Sequence, residues 1–283
     1  MITLRTVADV RAAVSQARRA GASIGLVPTM GAFHDGHLSL MRRAREQCDR
    51  VVVSLFVNPT QFNEQADLDH YPRDERRDAA LAAEAGVDFL FAPPVGQVYP
   101  PGFATTVSVA GVSESLEGAH RGRGHFDGVA TVVTKLFNIV SPDVAYFGQK
   151  DAQQVTVIRQ LVRDLDMPVR IEVCPIVREP DGLALSSRNV RLSGTQRERA
   201  TALHRALGAA RELVATGERD AAAVRATAIA ALTSAGIEPE YFELVSADTL
   251  APVRRIDGEV LALVAARVGA TRLIDNAIII RRP

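Results

Sequence analysis

The sequence predicts an α/β protein: a doubly wound, Rossmann-like parallel sheet over residues 1–175, followed by a smaller α+β domain over residues 176–283. Three observations predict it. Strand-like and helix-like runs alternate through the first part, the pattern of βαβ units. Its strands, such as Val51-Val52-Val53-Ser54-Leu55-Phe56-Val57, are apolar at successive positions, as strands covered on both faces are. Past Pro175 the texture changes to a polar loop and alanine-rich helices, so a second folding unit is expected there.

Each element has its own signal. Thr6 caps a first helix whose Val7, Val10, Val14 and Ala17 share one face, with Gly21 as its stop. A strand over residues 24–27 runs into a glycine- and histidine-rich turn, and Leu38, Leu40, Met41 and Ala44 mark the helix after it. Asn58-Pro59 breaks the valine-rich strand. A helix over residues 73–85 ends at Gly86, before a strand over residues 87–91. Residues 93–102 read as loop and 105–109 as a short edge strand suited to pairing. Helix, strand, helix and strand follow over residues 126–140, 144–147, 151–165 and 169–174. In the second part a polar loop spans residues 183–189. Ser193-Gly194-Thr195-Gln196 forms a capping box that opens one long helix. A further helix over residues 220–235 and strands over 240–245 and 260–265 complete the pattern.

Composition excludes several classes. No apolar run approaches the ~18–20 residues of a membrane span, and no signal-peptide pattern opens the chain. A formal net charge of +0 supplies no field toward nucleic acid or anionic membrane. Cys48 and Cys174, the only cysteines, read as buried reduced thiols, so a cytoplasmic protein is expected. Of the 33 cationic residues only Lys135 and Lys150 are lysines. A chain so biased toward arginine keeps a lysine where a compact ammonium is wanted. Lys150, between a strand end and a helix start, reads as functional; Lys135, in mid-helix, reads as a stem snorkelling to the surface.

The chemistry concentrates in Met30-Gly31-Ala32-Phe33-His34-Asp35-Gly36-His37. A loop between a buried strand and a helix start collects unpaired N–H groups and the positive end of the helix dipole on an anion such as a nucleotide phosphate. The spacing is neither the dinucleotide fingerprint nor the P-loop, which disfavours a redox enzyme and a Walker-type ATPase. Two histidines alone do not make a zinc site, and no ligands at suitable spacing complete one, so no metal site is expected. In such a sheet the loops after successive strands share one edge, where ligands gather. Met30–His37, Asn58–Phe62 and Gly148–Asp151 fall there, numbered 30–37, 58–62 and 148–151.

Four stretches together resemble the pantoate–β-alanine ligase (pantothenate synthetase) family: Pro28-Thr29-Met30-Gly31 through His37; Phe56-Val57-Asn58-Pro59-Thr60-Gln61-Phe62; Phe147-Gly148-Gln149-Lys150-Asp151 with Gln153-Gln154; and Ser186-Ser187-Arg188-Asn189. Gly269-Ala270-Thr271-Arg272-Leu273-Ile274-Asp275-Asn276 matches as well, and the likeness covers nearly the whole chain. The His-x-Gly-His element by itself is shared with many nucleotidylyltransferases and class I aminoacyl-tRNA synthetases. The resemblance implies ATP-dependent condensation of (R)-pantoate with β-alanine through a pantoyl adenylate, with Mg²⁺ bridging the phosphates. It implies a homodimer whose partners are small molecules, with no nucleic acid and no membrane.

Carried over residue by residue, His34, His37 and Lys150 would be catalytic. ATP would meet Met30, Gly31, Ala32, Phe33, His34, Asp35, Gly36, His37, Gly148, Gln149, Lys150, Asp151, Val177, Leu185, Ser186, Ser187 and Arg188. Gln61, Gln154 and Asn58 would hold pantoate and β-alanine, amides suiting a ligand with hydroxyls and a carboxylate. Tyr71 would close the pocket, and Asp151 would touch the same ligands. Leu185 departs from the family, where methionine usually precedes the two serines. Arg121, Arg123 and His125, in a glycine-rich loop, read either as solvated charges or as pyrophosphate contacts. Because Ser186–Arg188, at 186–188, lie beyond the domain boundary yet would serve the phosphates, the second domain is expected to act as a lid. Two other readings remain: a nucleotidylyltransferase acting on a phosphorylated acceptor, which would want another cation in place of the glutamines, and a non-catalytic nucleotide sensor, which would not need Lys150.

Overall fold

Six parallel strands form the larger sheet in the order β1-β4-β3-β2-β5-β6, and the helices that connect them cover both of its faces. The computed structural model describes residues 1–62 and 65–280, the side chain of Arg123 being outside that description. The chain divides into two units, residues 1–148 with 153–175, and residues 149–152 with 176–283.

The first unit runs β1 (Ile2–Leu4), α1 (Val7–Arg19), β2 (Ile24–Thr29), α2 (Asp35–Gln47), β3 (Arg50–Leu55), a 3₁₀ turn (Pro59–Gln61), α3 (Gln65–Asp69), α4 (Glu75–Glu84), β4 (Phe89–Phe91), α5 (Val95–Val98), α6 (Glu117–Arg121), α7 (Arg123–Val140), β5 (Val144–Gly148), α8 (Ala152–Asp164) and β6 (Arg170–Cys174). Strand side chains alternate between two cores. Ile24, Leu26, Val52, Phe91, Ala145 and Phe147 pack with α1, α7 and α8. Val27, Val51, Val53, Leu90, Val144 and Tyr146 pack with α2 and Ala82 of α4. Each fully buried aliphatic side chain contributes roughly 1.5–3 kcal/mol, so both faces are strongly held. From β2 the chain moves outward through β3 and β4, then crosses to β5, which pairs with the other side of β2 in the register Gly25↔Val144 and Leu26↔Ala145. That reversal is the switch point of the sheet, beside the carboxyl end of β2.

In the second unit, a 3₁₀ turn (Gln149–Asp151) and a second one (Asn189–Arg191) accompany α9 (Gly194–Ala200), α10 (Ala202–Ala215), α11 (Ala221–Ser234) and an antiparallel sheet of β7 (Pro239–Val245), β8 (Glu259–Val268) and β9 (Thr271–Ile280). Leu203, Ala206, Leu207, Val224, Ala228 and Leu232 of the helices meet Phe242, Val260, Ala262 and Val264 of the strands in one core.

Several expectations are corrected. Residues 105–109 form no strand, because their alternation is satisfied by α7: the Val107 N–H donates to Thr131 Oγ1 at 2.9 Å and Ser108 Oγ to Asp127 at 2.6 Å. The edge role falls to β1, whose three residues and exposed Ile2 make a weak pattern. The glycine-rich stretch holding Arg121, Arg123 and His125 is helical, in α6 and α7. The long helix opened by Ser193 is two helices, with a break at Thr201, while the capping box itself is formed. Residues 93–102 include the short α5, α3 precedes α4, and β9 joins the two strands expected in the second part.

Candidate active site

The loop after β2 is held from beneath by a buried carboxylate. Gly31 and Ala32 both have left-handed backbone, at φ 90° and 53°. Asp78 of α4, 1% exposed, accepts the N–H of Ala32 and that of Phe33, each at 2.8 Å. The two bonds satisfy donors that the turn would otherwise bury, and they fix where α2 begins. His34 is the N-cap of α2: its Nδ1 accepts the Gly36 N–H at 3.1 Å, which leaves the ring's proton on Nε2. A Cβ at Gly36 would lie 2.8 Å from His34 Cε1, so only glycine lets the ring sit this close. The His37 ring stacks tilted on His34 with centroids 4.3 Å apart, and on Phe33 at 5.5 Å. The loop thus presents two imidazoles at the start of a helix, beside the switch point.

Gln61 stands next to this loop, held on three sides. Its Nε2 donates to Met30 Sδ at 2.9 Å, and its Oε1 accepts from Asn58 Nδ2 at 3.1 Å. Its carbonyl accepts from His125 Nδ1 at 2.9 Å; as a carbonyl has no proton to give, that nitrogen carries the ring's N–H. Asn58, 1% exposed, also donates to Gly128 O at 3.1 Å and accepts from Thr60 Oγ1 at 3.0 Å and Tyr99 OH at 2.8 Å. All four of its hydrogen-bonding positions are therefore committed within the protein. Burial raises the Tyr99 phenol above its ordinary value, which keeps it a donor to Asn58. The turn Pro59–Gln61 lies directly on α7, where a Cβ at Gly128 would come within 2.4 Å of Thr60 O.

Other residues expected at the site divide by unit. In the first, Gln154 is half-buried on α8, whereas its neighbour Gln153 is buried and accepts from the Glu117 N–H at 2.9 Å while donating to Val112 O and Ser115 O. Arg121 donates to Glu117 at 2.8 Å, and buried Tyr71 meets Phe62 edge-on with centroids 5.6 Å apart. Lys135 does not simply snorkel: its Nζ lies 4.4 Å from the centre of the Phe103 ring and 5.9 Å from that of Tyr99.

In the second unit, Lys150 is half-buried in the turn Gln149–Asp151, with Nζ 3.7 Å from Asp151 Oδ1. Val177 and Leu185 are tied by Leu185 N–H to Val177 O at 3.0 Å, at the base of a loop that turns at Gly182. Ser186, Ser187 and Arg188 follow, each half-buried; Ser186 Oγ accepts the Arg188 N–H at 3.2 Å, and Asn189 Nδ2 closes the turn on Ala184 O at 3.1 Å. Asp78 and Gly128 support these loops without a sequence signal to mark them, and His125, read from sequence as a loop charge, holds the Gln61 turn instead; each acts across a distance in the chain. An acidic residue in the first turn of a helix, as Asp78 is in α4, reads from sequence only as a dipole partner.

The family model described as pantoate–β-alanine ligase matches residues 2–278. A pantothenate synthetase of Cereibacter sphaeroides is 59% identical over 274 residues, 96% of this chain and 98% of that protein. One from Moorella thermoacetica is 55% identical over 280 residues, 99% of each. The crystal structure of the Thermus thermophilus pantothenate synthetase aligns with a TM-score of 0.93 at 48% identity, covering 98% of this chain and 99% of that one. A Francisella tularensis pantoate–β-alanine ligase, solved with β,γ-ATP and β-alanine, aligns with a TM-score of 0.81 at 35% identity, covering 98% and 97%. On the sequence, the fold and the arrangement of its motifs alike, this chain belongs to the pantoate–β-alanine ligase family.

Proposed function

We propose that the chain joins pantoate to β-alanine at the expense of ATP, with the histidine loop, Gln61, Gln154, Lys150 and residues 186–188 as its working parts. A pantoate carboxylate oxygen bonds to the α-phosphorus while the bond from that phosphorus to the bridging oxygen breaks, so pyrophosphate leaves and pantoyl adenylate forms. The β-alanine amine then bonds to the acyl carbon, loses a proton and displaces AMP. Neither step needs a covalent protein intermediate; both need positioned donors and cations where charge develops.

His34 supplies an Nε2–H, oriented by the Gly36 N–H on its other nitrogen, and His37 stands against it. Lys150 and Arg188 neutralise the triphosphate, and Ser186 and Ser187 donate hydroxyl hydrogen bonds to it. Gln61 and Gln154 hold the pantoate hydroxyls and carboxylate, and Asn58, fully committed to protein groups, acts through Gln61. Mg²⁺ held by the triphosphate oxygens, the hard ligands it prefers, would shield the phosphate charge. In this reading the enzyme is a cytoplasmic homodimer, and residues 176–283 serve as a lid over the nucleotide.

The observation that carries the assignment is the paired imidazoles at the α2 N-terminus, beside the switch point and next to a glutamine already oriented by Asn58 and Met30. Mass analysis of products with ATP, pantoate and β-alanine, omitting each in turn, tests the function. Pantoyl adenylate formed without β-alanine is expected. Pantothenate formed with no adenylate detectable under single-turnover conditions would overturn the two-step scheme.

A further inference from the structure

The motif at residues 269–276 has no part in the chemistry above, yet its last two residues are buried polar groups. Asn276, on β9 opposite Leu263 of β8, is 1% exposed. Its Nδ2 donates to the carbonyls of Gln149 and Lys150, at 2.9 and 3.0 Å, and its Oδ1 accepts from Gln149 Nε2 at 3.2 Å. Two carbonyls can be met only by the NH₂ end of the amide, so the orientation of the side chain is dictated by its partners. Successive carbonyls point the same way in a helical turn such as the 3₁₀ segment Gln149–Asp151, which lets one nitrogen reach both. The amide therefore fixes the piece of backbone from which the Lys150 ammonium projects.

Asn276 is itself braced. Its N–H donates to Asp275 Oδ1 at 2.7 Å, and its carbonyl accepts from Arg178 Nη2 at 3.3 Å. Arg178 grips buried Asp275 with both nitrogens, at 2.6 and 2.9 Å, and donates to Gly182 O at 2.9 Å, in the loop that leads to Ser186. Three stretches far apart in sequence are thus one polar cluster: the Lys150 turn, the base of the 186–188 loop, and the middle of β9.

We infer that Asn276 is a positioning residue for Lys150, and that the Arg178–Asp275 pair ties the Lys150 turn and the 186–188 loop into one rigid set. The inference rests on the phosphate role proposed for Lys150. An amide so placed acts on turnover more than on affinity, because a shift of about 1 Å in a catalytic group costs on the order of 10²-fold in rate.

The test is a double-mutant cycle on the full chain, with kcat and KM for ATP measured for Asn276→Asp, Asn276→Ala, Lys150→Ala and the two combinations. Asn276→Asp keeps the shape and the acceptor but removes both donors; Asn276→Ala leaves no buried charge should the aspartate prevent folding. Each is expected to lower kcat on the order of 10–100-fold with little change in KM. In the Lys150→Ala background, itself about 10²–10³-fold down, each should add less than about threefold. Equal losses in both backgrounds would overturn the positioning role and leave Lys150 standing. A Lys150→Ala enzyme with full turnover would instead remove the reading of Lys150, and the inference with it.

Discussion

Replacing Asp78 by asparagine probes how the histidine loop is held. The carboxylate is 1% exposed and accepts the Ala32 and Phe33 N–H groups at 2.8 Å each. Asparagine has the same shape but one acceptor oxygen, so one N–H would keep its partner and the other would face an NH₂ group. A buried donor left unsatisfied costs roughly 1–3 kcal/mol, and the lost bond to a carboxylate about 1.5–3 kcal/mol; the two overlap, so the expected loss is about 3 kcal/mol. For a unit of this size 1 kcal/mol moves the melting midpoint by roughly 2–4 °C, which gives a fall of about 6–12 °C. Because the same bonds place Ala32, Phe33 and the N-cap His34, turnover should fall at least tenfold at a temperature where the variant is fully folded. Calorimetry and steady-state kinetics on the same preparation measure both. A midpoint within 1 °C of the parent together with unchanged kcat would refute the idea that this carboxylate holds the loop.

Four further outcomes are expected. His37→Ala should lower kcat on the order of 10²–10³-fold in a folded protein, read by pyrophosphate release, since one positioned donor to the transition state is worth roughly 3–4 kcal/mol. Gln61→Ala should weaken pantoate far more than ATP in binding titrations, because the side chain is held by Asn58 and Met30 and the turn itself by His125. Lys150→Arg should lose nearly as much turnover as Lys150→Ala, whereas Lys135→Arg should be almost neutral, a guanidinium being as able as an ammonium to lie over the Phe103 ring. Limited proteolysis should cut within residues 180–189, and ATP with Mg²⁺ should suppress the cuts if the second unit serves as a lid.

The sequence by itself determined the alternation of strands and helices, the parallel sheet and the edge of that sheet where the loops proposed for the chemistry lie. These follow from local signals: periodicity, the Thr6 and Ser193 caps, and a histidine pair at a helix start. It also determined the family, since four short motifs in order are far more specific than any one. The tertiary structure alone decided what holds those motifs in place. Asp78 lies more than forty residues from the loop it supports, and Asn276 reaches Lys150 across 126 residues, so no local pattern says what either one holds. Gly128 reads as an ordinary small residue in a helix until the 59–61 turn is seen resting on it. The strand expected over residues 105–109 failed for the same reason. Alternation reports that one side of a segment is buried, not what buries it, and here the cover is the helix α7 rather than a neighbouring strand. Local physics writes the elements into the sequence; the long-range hydrogen bonds that hold the Gln61 turn, the histidine loop and the backbone of the Lys150 turn exist only once the chain has folded.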